Sequence, residues 1–337
     1  QPIVGGIDAE RAPAPGSDLV VTIDRDFQFQ VQSALEEAVK SNQAMGGTVI
    51  VMDPRTGDVY AMATYPWFHP NDFATARPST WRNKAVTDVF EPGSVNKVIT
   101  AAASVQERSL ALDEQLSVPW KMRVGDFVIH DAHRHGVEAM TVGDIVAQSS
   151  NIGAVEVAER LGAARLATYL SKFGLGQVTG IGFPGESAGM MLPLYQWSDT
   201  SLATMAYGQG IAVTPLQMIS VYATIANGGV WVQPRLVRGT VDPEGAFHPA
   251  LPSSTRRVVS DDTAQMVTRM LAFAVKAGTG AAARIPGFRV AGKTGTARIP
   301  RPTGGYYADR YFASFIGFLP ASHPRVVIAA ILDRPTT

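Results

Sequence analysis

Ser94 and Lys97 stand three residues apart in Phe90-Glu91-Pro92-Gly93-Ser94-Val95-Asn96-Lys97. The Pro-Gly pair just ahead marks a helix start, so both side chains face the same way and the amine can reach the hydroxyl. A serine hydroxyl becomes a nucleophile only when a neighbouring base takes its proton, and a lysine is such a base only where burial or a second cation lowers its pKa. Val95, Val98 and Ile99 give Lys97 an apolar setting. The free N–H groups of a helix N-terminus also point where negative charge would grow on a carbonyl under attack. On this motif alone the plainer reading is an ordinary helix start carrying a solvated lysine.

Two further groups change that balance. Ser149-Ser150-Asn151 interrupts the apolar flanks Ile145-Val146-Ala147 and Ile152-Gly153-Ala154-Val155, and polar side chains in such a place demand partners. Ser149 could relay a proton to a leaving nitrogen while the Asn151 carboxamide holds Lys97 and a substrate amide; equally, the triplet could cap a helix. The third group is Gly292-Lys293-Thr294-Gly295-Thr296-Ala297, set between two strand-like runs. Its glycines would let a ligand backbone lie close along a strand edge. Lys293 would attract a carboxylate and depress the Lys97 pKa, the hydroxyls of Thr294 and Thr296 would bind that carboxylate, and the Thr296 N–H is a candidate oxyanion donor. Gly287 with Gly292-Lys293-Thr294 formally matches a phosphate loop. Such a loop opens a helix, however, and Gly295 with the β-favouring residues after it predicts a strand.

These groups need a frame that brings distant segments together. Ala12-Pro13-Ala14-Pro15-Gly16 makes residues 1–18 an irregular lead-in, with order beginning near Leu19-Val20-Val21-Thr22-Ile23. Asp24 can cap a helix whose apolar Phe27, Val31, Leu35 and Val39 recur at four-residue steps, with Gly46-Gly47 as its stop. Thr48-Val49-Ile50-Val51-Met52, the turn Asp53-Pro54-Arg55-Thr56-Gly57 and Val59-Tyr60-Ala61-Met62-Ala63 read as a hairpin. Helical patterns fill the middle, at 97–106, 142–161, 166–173, 215–226 and 263–277. Strand-like runs return at 288–291, 296–299, 312–318 and 326–332. Strands at both ends bracketing helices imply one sheet completed by distant segments. The economical division is a sheet lobe of about 19–65 and 280–337 and a helical lobe of about 95–280, in one domain.

Composition narrows the classes of function. Lys plus Arg equals Asp plus Glu, and no block of like charge would track a phosphate backbone, which argues against nucleic acid. There is no cysteine, so neither a disulfide framework nor a thiol nucleophile is available. No run of eighteen apolar residues and no basic segment followed by an apolar core occurs, so neither a membrane span nor a signal peptide is expected.

The ordered trio Ser-x-x-Lys, Ser-x-Asn, Lys-Thr-Gly resembles that of β-lactamases and penicillin-binding proteins. Phe90-Glu91-Pro92-Gly93-Ser94, Gly182-Phe183-Pro184-Gly185-Glu186 and Tyr207-Gly208-Gln209-Gly210-Ile211-Ala212-Val213-Thr214-Pro215-Leu216-Gln217 resemble class B penicillin-binding proteins, the monofunctional transpeptidases, over about 19–332. That resemblance implies an α+β fold with a five-stranded antiparallel sheet, flanking helices and a helical lobe, and an active site between the lobes. It makes Ser94 the acylated nucleophile, Lys97 its base, and Ser149 and Asn151 relay and clamp. Lys293, Thr294, Gly295 and Thr296 form the substrate-binding side; no cofactor or metal is called for. The implied reaction is attack on the D-Ala-D-Ala bond of a peptidoglycan stem peptide and transfer of the acyl group to a neighbouring strand's amine, with β-lactams as mimics that stall the acyl-enzyme. A hydrolase on the same scaffold, or a penicillin sensor or divisome scaffold without turnover, are the alternatives. The resemblance also implies work on the extracytoplasmic face of the bacterial membrane beside other wall-synthesis or division proteins, through an N-terminal anchor not found in this chain.

Three features stand outside the trio. His130, His133 and His135, with Asp131, could be drawn as a metal site, against the plainer reading of a surface loop leading to Ser149. Tyr195, Trp197, Tyr207, Tyr306, Tyr307 and Tyr311 could line a substrate groove, although core packing serves Tyr195 and Trp197 as well. Residues 298–305 read as a mobile loop whose Arg298 and Arg301 could meet an acidic substrate.

Overall fold

Asp24 caps the helix Arg25–Ser41, its carboxylate accepting the Phe27 N–H at 2.9 Å. This is the first helix of a computed structural model that describes residues 15–336, so most of the lead-in expected over 1–18 lies outside the described residues. Leu35 and Val39 turn inward and pack with Val31, Val49, Ala63, Tyr65 and Leu332. The expected stop at Gly46-Gly47 is a strand start instead: the helix ends at Ser41 and both glycines open the strand Gly46–Met52. The reason is packing, since a Cβ on Gly47 would sit 2.8 Å from the Leu35 Cδ1 that crosses it.

Gly46–Met52 and Val59–Tyr65 form the predicted hairpin, and Ala291–Pro300, Tyr306–Leu319 and Val326–Asp333 complete one five-stranded sheet. Every pairing in it is antiparallel. The order across the sheet is Ala291–Pro300, Tyr306–Leu319, Val326–Asp333, Gly46–Met52, Val59–Tyr65, which puts Ala291–Pro300 at an edge and the latest strand in the middle. The first helix lies against one face; Pro215–Ala226, buried almost all round, supports the sheet from within the core. One face of Val326–Asp333 is buried and the other half-buried, so apolar residues occupy both and 326–332 reads as a continuous apolar run.

The structure departs from the sequence reading in three further places. The helix expected over 142–161 is two helices, Val142–Gln148 and Asn151–Leu161, broken at Ser149, whose φ of 65° is left-handed. Both halves bury apolar residues toward the same core, so periodicity runs through the break unseen. Asp18–Val21 joins neither hairpin strand; it pairs with Val237–Val241, which pairs in turn with Phe247–Pro249, in a separate three-stranded sheet. The loop expected at 298–305 is shorter, because the strand continues to Pro300 and resumes at Tyr306. Arg301 there lies 5.5 Å over the Tyr307 ring.

Candidate active site

Ser94 lies in a short 3-10 turn, Gly93–Asn96, that runs directly into the helix Lys97–Glu107. The turn is held from several sides. Gly93 N–H donates to Gly208 O at 2.9 Å, Asn96 Nδ2 to Met205 O at 2.8 Å, and the buried Tyr222 hydroxyl to Val95 O at 2.9 Å. Gly208 must be glycine twice over: its φ is 87°, and a Cβ would fall 2.2 Å from Gly93 O. Glu91 Oε1 accepts the Gly210 N–H at 3.0 Å and the Tyr306 hydroxyl at 3.1 Å, and burial pushes its carboxyl up. Inside this frame the half-buried Ser94 Oγ has no hydrogen-bond partner among the described residues.

Lys97 is only 1% exposed. Its Nζ donates to Ser149 O at 2.6 Å and Asn151 Oδ1 at 2.8 Å, with Ser149 Oγ at 3.4 Å. The structure thus brings Lys97, Ser149 and Asn151 together, while Lys97 and Ser94 share a turn without a direct hydrogen bond. The left-handed turn at Ser149 aims its carbonyl at the amine. The capping alternative holds too: Ser150 Oγ accepts the Gly153 N–H at 2.9 Å. Desolvation pushes the Lys97 amine far below its ordinary pKa, the Lys293 charge adds to the fall, and Asp131 opposes it.

Lys293 is wholly buried, and burial brings its amine down to about 7. Its Nζ donates to Thr279 Oγ1 at 3.1 Å and to Thr294 O at 3.2 Å, and the Thr294 hydroxyl reaches Thr279 Oγ1 at 2.9 Å. Lys293 therefore acts on the surface through the half-buried Thr294 and through its field, while Thr296 is exposed on the edge strand. The glycines of this strand do not open space for a ligand as the sequence suggested. A Cβ on Gly292 would meet the Phe315 ring at 2.5 Å, and one on Gly295 would lie 2.5 Å from Ser314 Oγ, 3.0 Å from Val95 Cγ1 and 3.2 Å from Pro92 O. Gly295 instead lets the nucleophile turn dock on the strand. That same strand, continuing past Lys293, rules out the phosphate loop.

Sequence reasoning missed Thr279, and it named Asp131 only as a possible metal ligand. Thr279 follows the helix Asp261–Ala277, and its N–H donates to Ala147 O at 3.0 Å, joining the Lys293 side to the segment before Ser149. Its only signal was a threonine between two glycines. Asp131 is buried at 6% exposure, and its carboxylate accepts the Asn151 N–H, so the histidine-rich stretch is not merely a surface loop. Among the described residues no three such side chains gather as metal ligands. The six aromatics do not form one groove: Tyr207 is buried, Tyr306 is bound to Glu91, and Tyr307 lies under Arg301 and Arg310. Tyr195 is 84% exposed and so not in the core, whereas Trp197 packs partly against it.

An antiparallel five-stranded sheet, a helical layer and a Ser-x-x-Lys turn docked on the sheet's edge strand define the penicillin-interacting class of serine acyl-transfer folds. The chain belongs to one family within it, the penicillin binding protein transpeptidase domain, which matches residues 47–337. It is 41% identical over 329 residues to penicillin-binding protein PbpB of Mycobacterium tuberculosis, covering 95% of this chain and 48% of that protein. It is 34% identical to the probable peptidoglycan D,D-transpeptidase PenA of Neisseria meningitidis, covering 99% of this chain and 56% of that one. The chain thus spans about half the length of these curated relatives. The crystal structure of penicillin binding protein 3 from Mycobacterium tuberculosis complexed with aztreonam superposes with a TM-score of 0.92 at 41% identity, over 96% of this chain and 74% of that one.

Proposed function

We propose that residues 19–337 form one transpeptidase domain that acylates Ser94 with D-Ala-D-Ala stem peptides of peptidoglycan and passes the acyl group to the amine of a neighbouring strand. The observation that carries this reading is the Lys97 amine, buried, depressed in pKa and bonded to both Ser149 and Asn151. Such an amine is neutral at a pH where an ordinary lysine is charged, so it can accept a proton. Ser94 Oγ attacks the penultimate D-Ala carbonyl as its proton passes to Lys97. The N–H groups of Ser94 and Thr296 take the oxyanion. The C–N bond to the terminal D-Ala breaks, and its nitrogen leaves with a proton delivered through Ser149 Oγ. The acceptor amine then attacks the Ser94 ester and restores the hydroxyl. Asn151 orients the donor amide, and Thr294, Thr296 and the field of Lys293 hold its carboxylate.

β-Lactams, with their strained amide and nearby carboxylate, are inhibitors in this reading, as the aztreonam complex of the relative supports. The place of work is the extracytoplasmic face of a bacterial membrane, beside other wall-synthesis or division proteins. No helix among the described residues is long and apolar enough to cross a membrane.

The test is turnover of a D-Ala-D-Ala peptide or thioester analogue with and without a D-amino-acid acceptor. Acceptor-dependent transfer product is expected. Release of free acid only would make the domain a hydrolase, and a lasting adduct without product would make it a sensor. A pH effect follows from Lys293. Its amine is charged below about 7 and neutral above, so non-covalent affinity for a penicillin carboxylate falls as pH rises through that value. The affinity for the penicillin methyl ester stays flat. Parallel titration curves for acid and ester between pH 6 and 8.5, measured on Ser94→Ala, would remove Lys293 from carboxylate binding.

A further inference from the structure

The Asp131 carboxylate has four hydrogen-bond partners. Oδ1 accepts the Asn151 N–H at 2.5 Å and the Ile152 N–H at 3.1 Å, while Oδ2 accepts the Ser150 hydroxyl at 2.6 Å and lies 3.1 Å from His135 Nε2. The Asn151 side chain reaches back to the same segment, Nδ2 donating to His130 O at 3.1 Å. The two backbone N–H groups it accepts are the first of the helix Asn151–Leu161, so the carboxylate sits at that helix's N-terminus. Ser150 already satisfies the Gly153 N–H, so an ordinary cap is present without Asp131. What Asp131 adds is a fixed origin for the break between the two helices, immediately after left-handed Ser149. From that break Ser149 O and Asn151 Oδ1 reach the Lys97 amine.

We propose that Asp131 is a positioning residue for acyl transfer, its carboxylate locking the Ser149-Ser150-Asn151 turn onto Lys97. The proposal rests on the acyl-transfer reading above. The carboxylate also opposes the fall in the Lys97 pKa that burial and Lys293 cause. Besides Lys97, the titratable groups around Asp131 are His135, charged only when protonated, and beyond it Glu138, 3.9 Å from His135 Nδ1.

The experiment is the second-order rate of acylation by a fluorescent penicillin from pH 5 to 9, on the wild-type chain and on Asp131→Asn, with thermal melts of both. The amide keeps the shape of the carboxylate but offers a donor where Ser150 and His135 need an acceptor. Acylation slows about tenfold to a hundredfold, the loss expected when a reacting group is shifted by about 1 Å. The acid limb of the profile moves to lower pH, because Lys97 loses a charge that favours its protonated form. A purely structural role would lower the melting point and leave the limb in place. A folded Asp131→Asn with the wild-type rate and limb overturns the proposal. Should that variant fail to fold, Ser150→Ala, which removes the donor to Asp131 together with the cap on the Gly153 N–H and spares both backbone bonds to the carboxylate, carries the test beside its own melt; it slows acylation about tenfold, and an unchanged rate overturns the proposal. Wild type that takes up no penicillin sinks the acyl-transfer reading and this proposal with it, whereas a variant equal to an active wild type sinks this proposal alone.

Discussion

Ser94→Ala protein remains folded and takes up no penicillin, with the covalent mass shift of the wild type absent and the labelling rate reduced by about 10⁴-fold or more. Both halves of that expectation come from the site. The Ser94 hydroxyl has no hydrogen-bond partner among the described residues, so deleting it leaves no buried group unsatisfied, and stability changes by about 0.5 kcal/mol or less. The turn itself is held by Gly208, Met205 and Tyr222 through groups other than the Ser94 side chain. A loss of labelling with an unchanged melt is therefore chemical and not structural. Intact-mass and peptide mass spectrometry decide it: an adduct of undiminished yield on the alanine variant, for example on Ser149 or Ser150, would remove Ser94 from the mechanism.

Lys97→Met separates the base from the nucleophile. Methionine has nearly the length of lysine and no amine, so it fills the buried space and removes the proton acceptor. Acylation then falls by about 10³- to 10⁴-fold, the upper range for a general base. Stability moves much less, because two effects oppose. The variant no longer buries an amine, yet it leaves Asn151 Oδ1 and Ser149 O without their donor, at about 1 to 3 kcal/mol for each group left unpaired. Acylation by stopped-flow fluorescence beside a urea melt distinguishes the outcomes. A rate within about threefold of wild type, in a folded variant, would show that another group takes the Ser94 proton.

The frame of the site was legible where local chemistry is strong. Asp24, the hairpin turn at 53–57 and Thr214-Pro215 each carry a cap or turn signal in two or three residues, and the elements beside them fall where the sequence put them. The apolar runs at 312–318 and 326–332 likewise announced strands. Hidden features all depend on partners far along the chain. Ser149 itself adopts the left-handed conformation at the break, where no glycine stands to mark it. Asp131 read as part of a surface loop or, with the histidines, as a possible metal site, because three of its four partners come from residues 150–152, some twenty positions on. The glycines at 292 and 295 were read as room for a ligand, whereas their neighbours are Phe315, Pro92 and Val95. Residue type told what chemistry was possible; only the fold tells which atoms occupy the space a side chain leaves.

The strand Val326–Asp333 lies in the middle of the sheet, although it is the latest strand in the described sequence. Consider the chain leaving the ribosome. The hairpin at 46–65 and the turn bearing Ser94 and Lys97 emerge with the helices between them, while the edge strand carrying Lys293 follows about two hundred residues later. That edge strand and its neighbour cannot join the hairpin until 326–333 slots between them, since they share no hydrogen bonds with it otherwise. Closure of so long a loop is slow, as for other folds of high contact order. The second cation that tunes Lys97 comes on the strand Ala291–Pro300, so the nascent chain carries its serine and its lysine long before it has made that partner.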